Sequence, residues 1–327
     1  MKKPKDLNDP QVRKQMWKRH PVVTQDYRVS TVAIESAYKI IRSRFVLRRT
    51  SIYRTDPPQT GKTECALAVQ QLLEVEFPTC YGVVVSADGH GTKTFGLVRD
   101  IAAATGVLVR SRDPYKIVMS RIVSQVCTEV QSRGGSQFWL IIDEMHLVSE
   151  QEFKQLLTLQ NALRLVTPRI SMTVIGFAQP EIESRRTALV AVDARHLVAR
   201  FLSEGATLGS CNKVSALQRI TRALDKEKEY PIGSGWSYVR FFLPRAFEAG
   251  FRLTTYAQMI LDALAKEAGG IRPIPMHHTM RTLEALLLLN AKHDDTHFKL
   301  DEAIVLKAVR SSHLRDFVAS TRSAGGE

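Results

Sequence analysis

The apolar positions of this chain change period along its length. Over Ser30–Val46 (STVAIESAYKIIRSRFV) residues Ile34, Ala37, Tyr38, Ile41 and Phe45 recur at helical spacing, with Ser30 and Glu35 placed as capping residues. An alternation then begins. A short apolar run, TSIYR (50–54), precedes a loop and a helical stretch (62–75). YGVVVSA (81–87) is strand-like and leads to helical stretches at about 93–105 and 114–132. FWLIID (138–143), a helix over about 150–165 and ISMTVIGF (170–177) complete the series. Runs such as GVVV and WLII are continuously apolar, as in strands covered on both faces of a parallel sheet. The pattern predicts an α/β fold, a parallel sheet flanked by helices. Beyond about residue 210 only helical stretches remain (213–229, 236–249, 254–267, 276–291 and 301–320), broken by YPIGSG and GGIRPIP. Residues 30–210 therefore read as the α/β core, and 211–327 as an all-α lid with C-terminal helices.

A length of 327 residues suits two domains, and 44% hydrophobic with 24% charged residues gives a soluble globular composition. No apolar run is long enough for a membrane helix, so no membrane is expected, and the N-terminus shows no leader pattern. Cys65, Cys80, Cys127 and Cys211 stand singly, which points away from disulfides or zinc and toward the reducing cytoplasm. The net charge of +13 favours an acidic partner such as nucleic acid. Residues 1–20 hold seven Lys or Arg against two Asp, so segment 1–29 reads as a basic arm with little structure of its own. Trp236–Phe251 interleaves six aromatics with Arg240 and Arg245, at a spacing that suits a buried stripe better than a surface for stacking bases.

Two stretches carry chemistry by residue type and position. Asp56-Pro57-Pro58-Gln59-Thr60-Gly61-Lys62-Thr63, between a strand and a helix, resembles the phosphate-binding P-loop, G-x-x-x-x-G-K-[ST]. Pro58, Gln59, Thr60, Gly61, Lys62, Thr63 and Glu64 form the candidate nucleotide cradle. Gly61 permits close approach, Lys62 reaches the β- and γ-phosphates of ATP, and the Thr63 hydroxyl coordinates Mg²⁺. Asp56 departs from the pattern: it stands where the motif has its first glycine, and an aspartate facing phosphates would repel them. Phe138–Glu144 (FWLIIDE) resembles a Walker B strand lying beside the P-loop strand. Asp143 would enter the Mg²⁺ shell and Glu144 would polarise the attacking water.

Three further stretches are VIGFAQPE (174–181), DARHLVARF (193–201) and GGIRPIP (269–275). With the first two, in this order across about residues 30–290, they resemble the AAA+ ATPases. PPQTGKT, LIIDEMHLV, IGFAQPEI and the short basic arm resemble most the initiator-like branch with the transposition regulators TnsC, TniB and MuB. The resemblance implies roles for single residues. Gln179 would be a catalytic sensor of the γ-phosphate, and Arg200, with Arg195 as second choice, an arginine finger acting on a neighbouring subunit. Arg272, with Arg281 in reserve, would fold over the phosphates from the lid. The resemblance also implies a homo-oligomer, ring or filament, on double-stranded DNA, linking a TniQ-like targeting protein to transposase subunits. Lys93, Arg99, Arg110, Arg112, Lys116 and Arg121 would then face DNA phosphates. Two alternatives remain open: a helicase loader or secretion-linked relative, and a nucleotide-gated DNA-binding scaffold with little turnover, the latter motivated by Asp56.

Overall fold

The N-terminal segment is not the loose arm its charge suggests. In the computed structural model, which describes residues 6–89, 96–207, 213–270 and 274–324, helix α1 (Pro10–Trp17) starts on Pro10 with the Asp9 carboxylate accepting the Gln11 N–H. Helix α2 (Pro21–Thr24) follows, capped by His20. Leu7, Met16, Val22 and Val29 are buried in one core with Leu217, Phe241, Leu264 and Leu286 of the C-terminal helices. His20 is wholly buried among Tyr230, Tyr238, Phe241 and Phe242, with ring centroids 4.5–4.7 Å away. Burial holds its pKa down at about 3, so the ring stays neutral. The few apolar residues that anchor this segment are too widely spaced to show against its lysines and arginines.

The chain thus divides into two compact units: Ala33–Gly209, and Met1–Val32 together with Ser210–Glu327. In the first, α3 (Val32–Val46) buries Ile34, Ala37, Ile41 and Phe45, the stripe its spacing predicts. There follow β1 (Ser51–Thr55), α4 (Lys62–Glu76), β2 (Tyr81–Ser86), α5 (Gly96–Ala104) and α6 (Tyr115–Ser132). Then come β3 (Gln137–Asp143), α7 (Glu150–Leu165), β4 (Ser171–Ala178), α8 (Ile182–Ala191), α9 (Arg195–Phe201) and the short β5 (Gly205–Thr207). Among the described residues five strands pair, all in parallel, in the order β2-β3-β4-β1-β5. Strand β3 is therefore not the neighbour of β1, because β4 lies between them. Two apolar layers cover the sheet, one built on Ile122, Phe153 and Phe201, the other on Ile41, Val69 and Trp139. Both faces being dry is why the central strands are continuously apolar.

The second unit is helical, and it breaks where backbone chemistry requires it. The stretch 236–249 forms two short helices, α11 (Tyr238–Phe242) and α12 (Pro244–Glu248), divided at Pro244, after α10 (Val214–Arg222). Trp236, Tyr238, Phe241, Phe242 and Phe251 are buried, so the aromatic stripe is core. Helices α13 (Ala257–Glu267) and α14 (Met276–Asn290) precede α15 (Glu302–Ser311) and α16 (Leu314–Ala324), which part at His313 (φ 58°). Among the described residues, no helix is long and apolar enough to cross a membrane.

Two stability outcomes follow. A Cβ on Gly82 would lie 1.9 Å from the indole of buried Trp139, so Gly82→Ala should cost about 1–3 kcal/mol, read as a lower thermal midpoint. Deleting residues 1–25 removes Leu7, Met16 and Val22 from the helical core. It should lower that unit's midpoint by at least ~5 °C and raise binding of an apolar dye, whereas removal of a solvated arm would leave both unchanged.

Candidate nucleotide-binding site

All five strands point the same way, so their C-terminal ends share one edge of the sheet, where α/β proteins hold ligands. Thr55 pairs with Ala178 and Ile142 with Gly176, so the chain leaves β1, β3 and β4 within one or two residues of that edge. Asp56, Asp143 and Gln179 are the first residues out or the last residues in.

The loop after β1 turns on two left-handed residues, Gln59 (φ 61°) and Gly61 (φ 94°). Only the second is glycine, and it stands directly before α4. No side chain caps that helix, so the N–H groups of its first turn face outward beside the positive end of the helix dipole. Pro57 and Pro58 have no N–H, so the donors of the loop begin at Gln59. The Thr60 hydroxyl donates to the Pro57 carbonyl at 2.8 Å and closes the turn. Lys62 is 5% exposed, and its Nζ donates to the Asp56 and Pro57 carbonyls at 2.9 and 2.7 Å. Burial pulls the Lys62 pKa down, while the charges of Glu144, Asp56, Asp143 and Glu181 push it back up.

Asp56 does not oppose this arrangement. Its φ is not positive, so an L-residue is unstrained where the motif has glycine. Its N–H donates to the Ala178 carbonyl at 3.2 Å, and its carboxylate is buried with Arg54 and Lys62 as charged neighbours. Arg54 is itself buried in β1 and donates from Nη2 to the Thr207 carbonyl of β5. Desolvation lowers its pKa, and Cys65 and Asp56 oppose that shift. Sequence reasoning missed Arg54, which looks like one polar residue in a short apolar run.

The Thr63 hydroxyl donates to Asp143 Oδ2 at 2.6 Å, joining α4 to the end of β3. Asp143 Oδ1 accepts the Glu144 N–H at 3.1 Å. Desolvation raises the Asp143 pKa, against the hydrogen bonds from Thr63 and Glu144. Glu144 adopts a left-handed conformation (φ 54°, ψ 37°), which costs a non-glycine residue about 1 kcal/mol and aims its side chain across the edge. There Glu144 Oε2 accepts from Gln179 Nε2 at 3.1 Å. His146 Nδ1, which the sequence reading did not single out, accepts the Gln179 N–H at 3.3 Å and lies 3.4 Å from Glu144 Oε2. A hydroxyl and a carboxylate at hydrogen-bond distance are hard oxygen donors that suit Mg²⁺, which draws its other ligands from phosphate and water.

The remaining candidates lie elsewhere. The Arg200 carbonyl accepts from the Thr50 and Ser51 hydroxyls at 3.1 and 2.8 Å, at the opposite end of β1 from the P-loop. Five residues of strand, about 16 Å, separate those ends, so Arg200 is not brought to its own chain's Lys62. Arg195 is exposed, 3.7 Å from Asp193. Glu64 lies exposed in the first turn of α4, and Arg281 is exposed on α14. Arg272 and Lys93 fall outside the described residues. Arg110, Arg112 and Lys116 are exposed around the loop before α6. Arg121 instead holds that loop, donating to Asp113 at 2.6 Å and to the Leu108 carbonyl at 3.3 Å, while Arg99 donates to the Ser111 carbonyl at 3.2 Å.

The buried carboxylate sets a pH dependence. A folded-state pKa raised above the unfolded value means that ionised Asp143 opposes folding at neutral pH, and that the opposition fades as pH falls below the folded value. Asp143→Asn should raise the thermal midpoint of the nucleotide-free protein by a few degrees near pH 7, and the gain should vanish at acid pH.

Residues 48–185 match the family model described as an AAA domain. No curated protein matches the sequence. Among solved structures, the ORC2 protein of Aeropyrum pernix (ADPNP–ADP complexes) is 15% identical with a TM-score of 0.61, over 90% of this chain and 71% of that one. Cdc6p of Pyrobaculum aerophilum is 12% identical with a TM-score of 0.52, over 83% of this chain and 66% of that one. At such identities the likeness is one of fold. The strand order, the P-loop and the domain match agree: over residues 48–185 the chain carries an AAA domain, and its fold is the AAA+ P-loop fold.

Proposed function

We propose that this protein is an ATPase of the initiator-like AAA+ branch that assembles on double-stranded DNA and regulates DNA transposition. The observation that carries the ATPase reading is the Thr63–Asp143 hydrogen bond, which joins two distant motifs at one edge, with Glu144 and Gln179 beside it. Lys62 would exchange its loop carbonyls for β- and γ-phosphate oxygens, and the N–H groups of the first turn of α4 would hold the remaining phosphate charge. Thr63 and Asp143 are the residues that would hold Mg²⁺, whose positive charge would offset that of the phosphates. Glu144 takes the proton of the attacking water as its oxygen bonds to the γ-phosphorus and the bond to ADP breaks. Gln179 holds Glu144 and senses the γ-phosphate.

The position of Arg200, away from its own P-loop, supports an arginine finger that serves a neighbouring copy, hence a ring or filament with nucleotide between subunits. Net charge and the exposed Arg110, Arg112 and Lys116 support contacts to DNA phosphates. The transposition role, with a TniQ-like protein and transposase as partners, rests on the motif resemblance.

ATP turnover measured with and without duplex DNA tests the reading, and absence of nucleotide-dependent DNA association would refute the DNA half. Glu144→Gln should lower kcat by ~10²-fold or more while nucleotide binding persists. Replacing Arg110 or Arg112 with Ala should weaken DNA binding alike for all sequences and reduce the salt slope by about one each.

A further inference from the structure

We propose that His146 is a positioning residue for Glu144, acting through Gln179; the inference rests on the ATPase reading and deepens it. Gln179 lies one residue beyond β4, past the end of the strand ladder, and its N–H finds its acceptor in His146 Nδ1 at 3.3 Å. The imidazole side chain is only 9% exposed. An accepting Nδ1 carries no proton, which fixes the Nε2–H tautomer. Glu144 Oε2 lies 3.4 Å from that same nitrogen, which in this tautomer has no proton to donate to it. The Gln179 side-chain amide, whose backbone the ring holds, donates to that same carboxylate oxygen at 3.1 Å. His146 thus anchors Gln179, and through it the carboxylate of Glu144, without touching a reacting atom.

The placement of the ring comes from local packing. Met145, fully buried, lies across β4 at Gly176, where a Cβ would stand 2.0 Å from the Met145 sulfur. That contact seats the short turn Met145–Leu147 against β4 and delivers the next side chain, His146, to Gln179. The role requires an acceptor at the Nδ1 position. The Asn Oδ1 reproduces it, and leucine fills the space without it.

The test uses the full chain in two measurements. Without nucleotide, long-range ¹H–¹⁵N correlation spectra should place His146 in the Nε2–H tautomer. His146→Leu should shift the Gln179 backbone amide, and His146→Asn should return it toward its original position. In turnover, His146→Leu should lower kcat by about tenfold or more with KM and nucleotide affinity within about twofold, and His146→Asn should recover most of the loss. In a Gln179→Ala background, His146→Leu should cost almost nothing further, because a residue acting through another is not additive with it. An Nδ1–H tautomer, an unmoved Gln179 amide or additive losses would each overturn the proposal. A wild-type chain that does not turn over ATP would sink the ATPase reading alone, and the spectra would still decide the place of His146.

Discussion

Charge taken out of water at the C-terminal edge of the sheet is the constraint on which the rest of this structure depends. An ammonium and an aspartate, Lys62 and Asp143, are both buried at this edge, and burial pushes each toward its neutral form. Neither is discharged by a simple ion pair. Lys62 is held by two main-chain carbonyls, Asp143 by a hydroxyl and an N–H. Such an arrangement costs stability on its own and becomes favourable when a ligand supplies what each group lacks, anionic oxygens for the ammonium and a cation for the carboxylate. The apolar sheet, covered on both faces by close-packed side chains, offsets that cost and holds the edge in place.

The sheet order also explains how two motifs separated by 80 positions meet. Because β4 stands between β1 and β3, the residue that follows β4 lies between the P-loop and the Walker B carboxylates. Gln179 is thereby placed to bond Glu144, and His146 to hold Gln179. A direct β1–β3 pairing would leave no position for either. The same parallel geometry separates Arg200 from the edge, since its carbonyl is bonded by hydroxyls where β1 begins.

The sequence was legible wherever a local rule and the fold agreed. Strands β1 to β4 and helices α3, α4, α6 and α7 follow from apolar period, and the P-loop follows from spacing, because a glycine before Lys-Thr serves one geometry. What was illegible depends on contacts made elsewhere. Strand β5 has three residues and no apolar run, and it exists because β1 offers it a ladder. Helices α1 and α2 are held by a core contributed from more than 200 positions further on, so their basic sequence reads as solvated. His146 belongs to the motif by position, but its hydrogen bond is to a backbone N–H just beyond another strand, which no spacing along the chain reveals.

Asp56 is the instructive departure, because a pattern mismatch weakens a motif only if the missing residue's physical role is needed there. Glycine in a phosphate loop provides left-handed backbone or room for close approach. Here the left-handed positions are Gln59 and Gly61, and Asp56 has an ordinary φ. Its carboxylate is turned inward, where Arg54 and Lys62 are its charged neighbours, so its negative charge opposes their desolvation and is not presented to phosphate. Arg54 in turn reaches the Thr207 carbonyl, which connects the loop's counter-charge to the outermost strand. A glycine at position 56 would leave a buried guanidinium without that compensation. Asp56 is therefore placed to offset the burial of two cations, Arg54 and Lys62, behind the loop, which a glycine could not do.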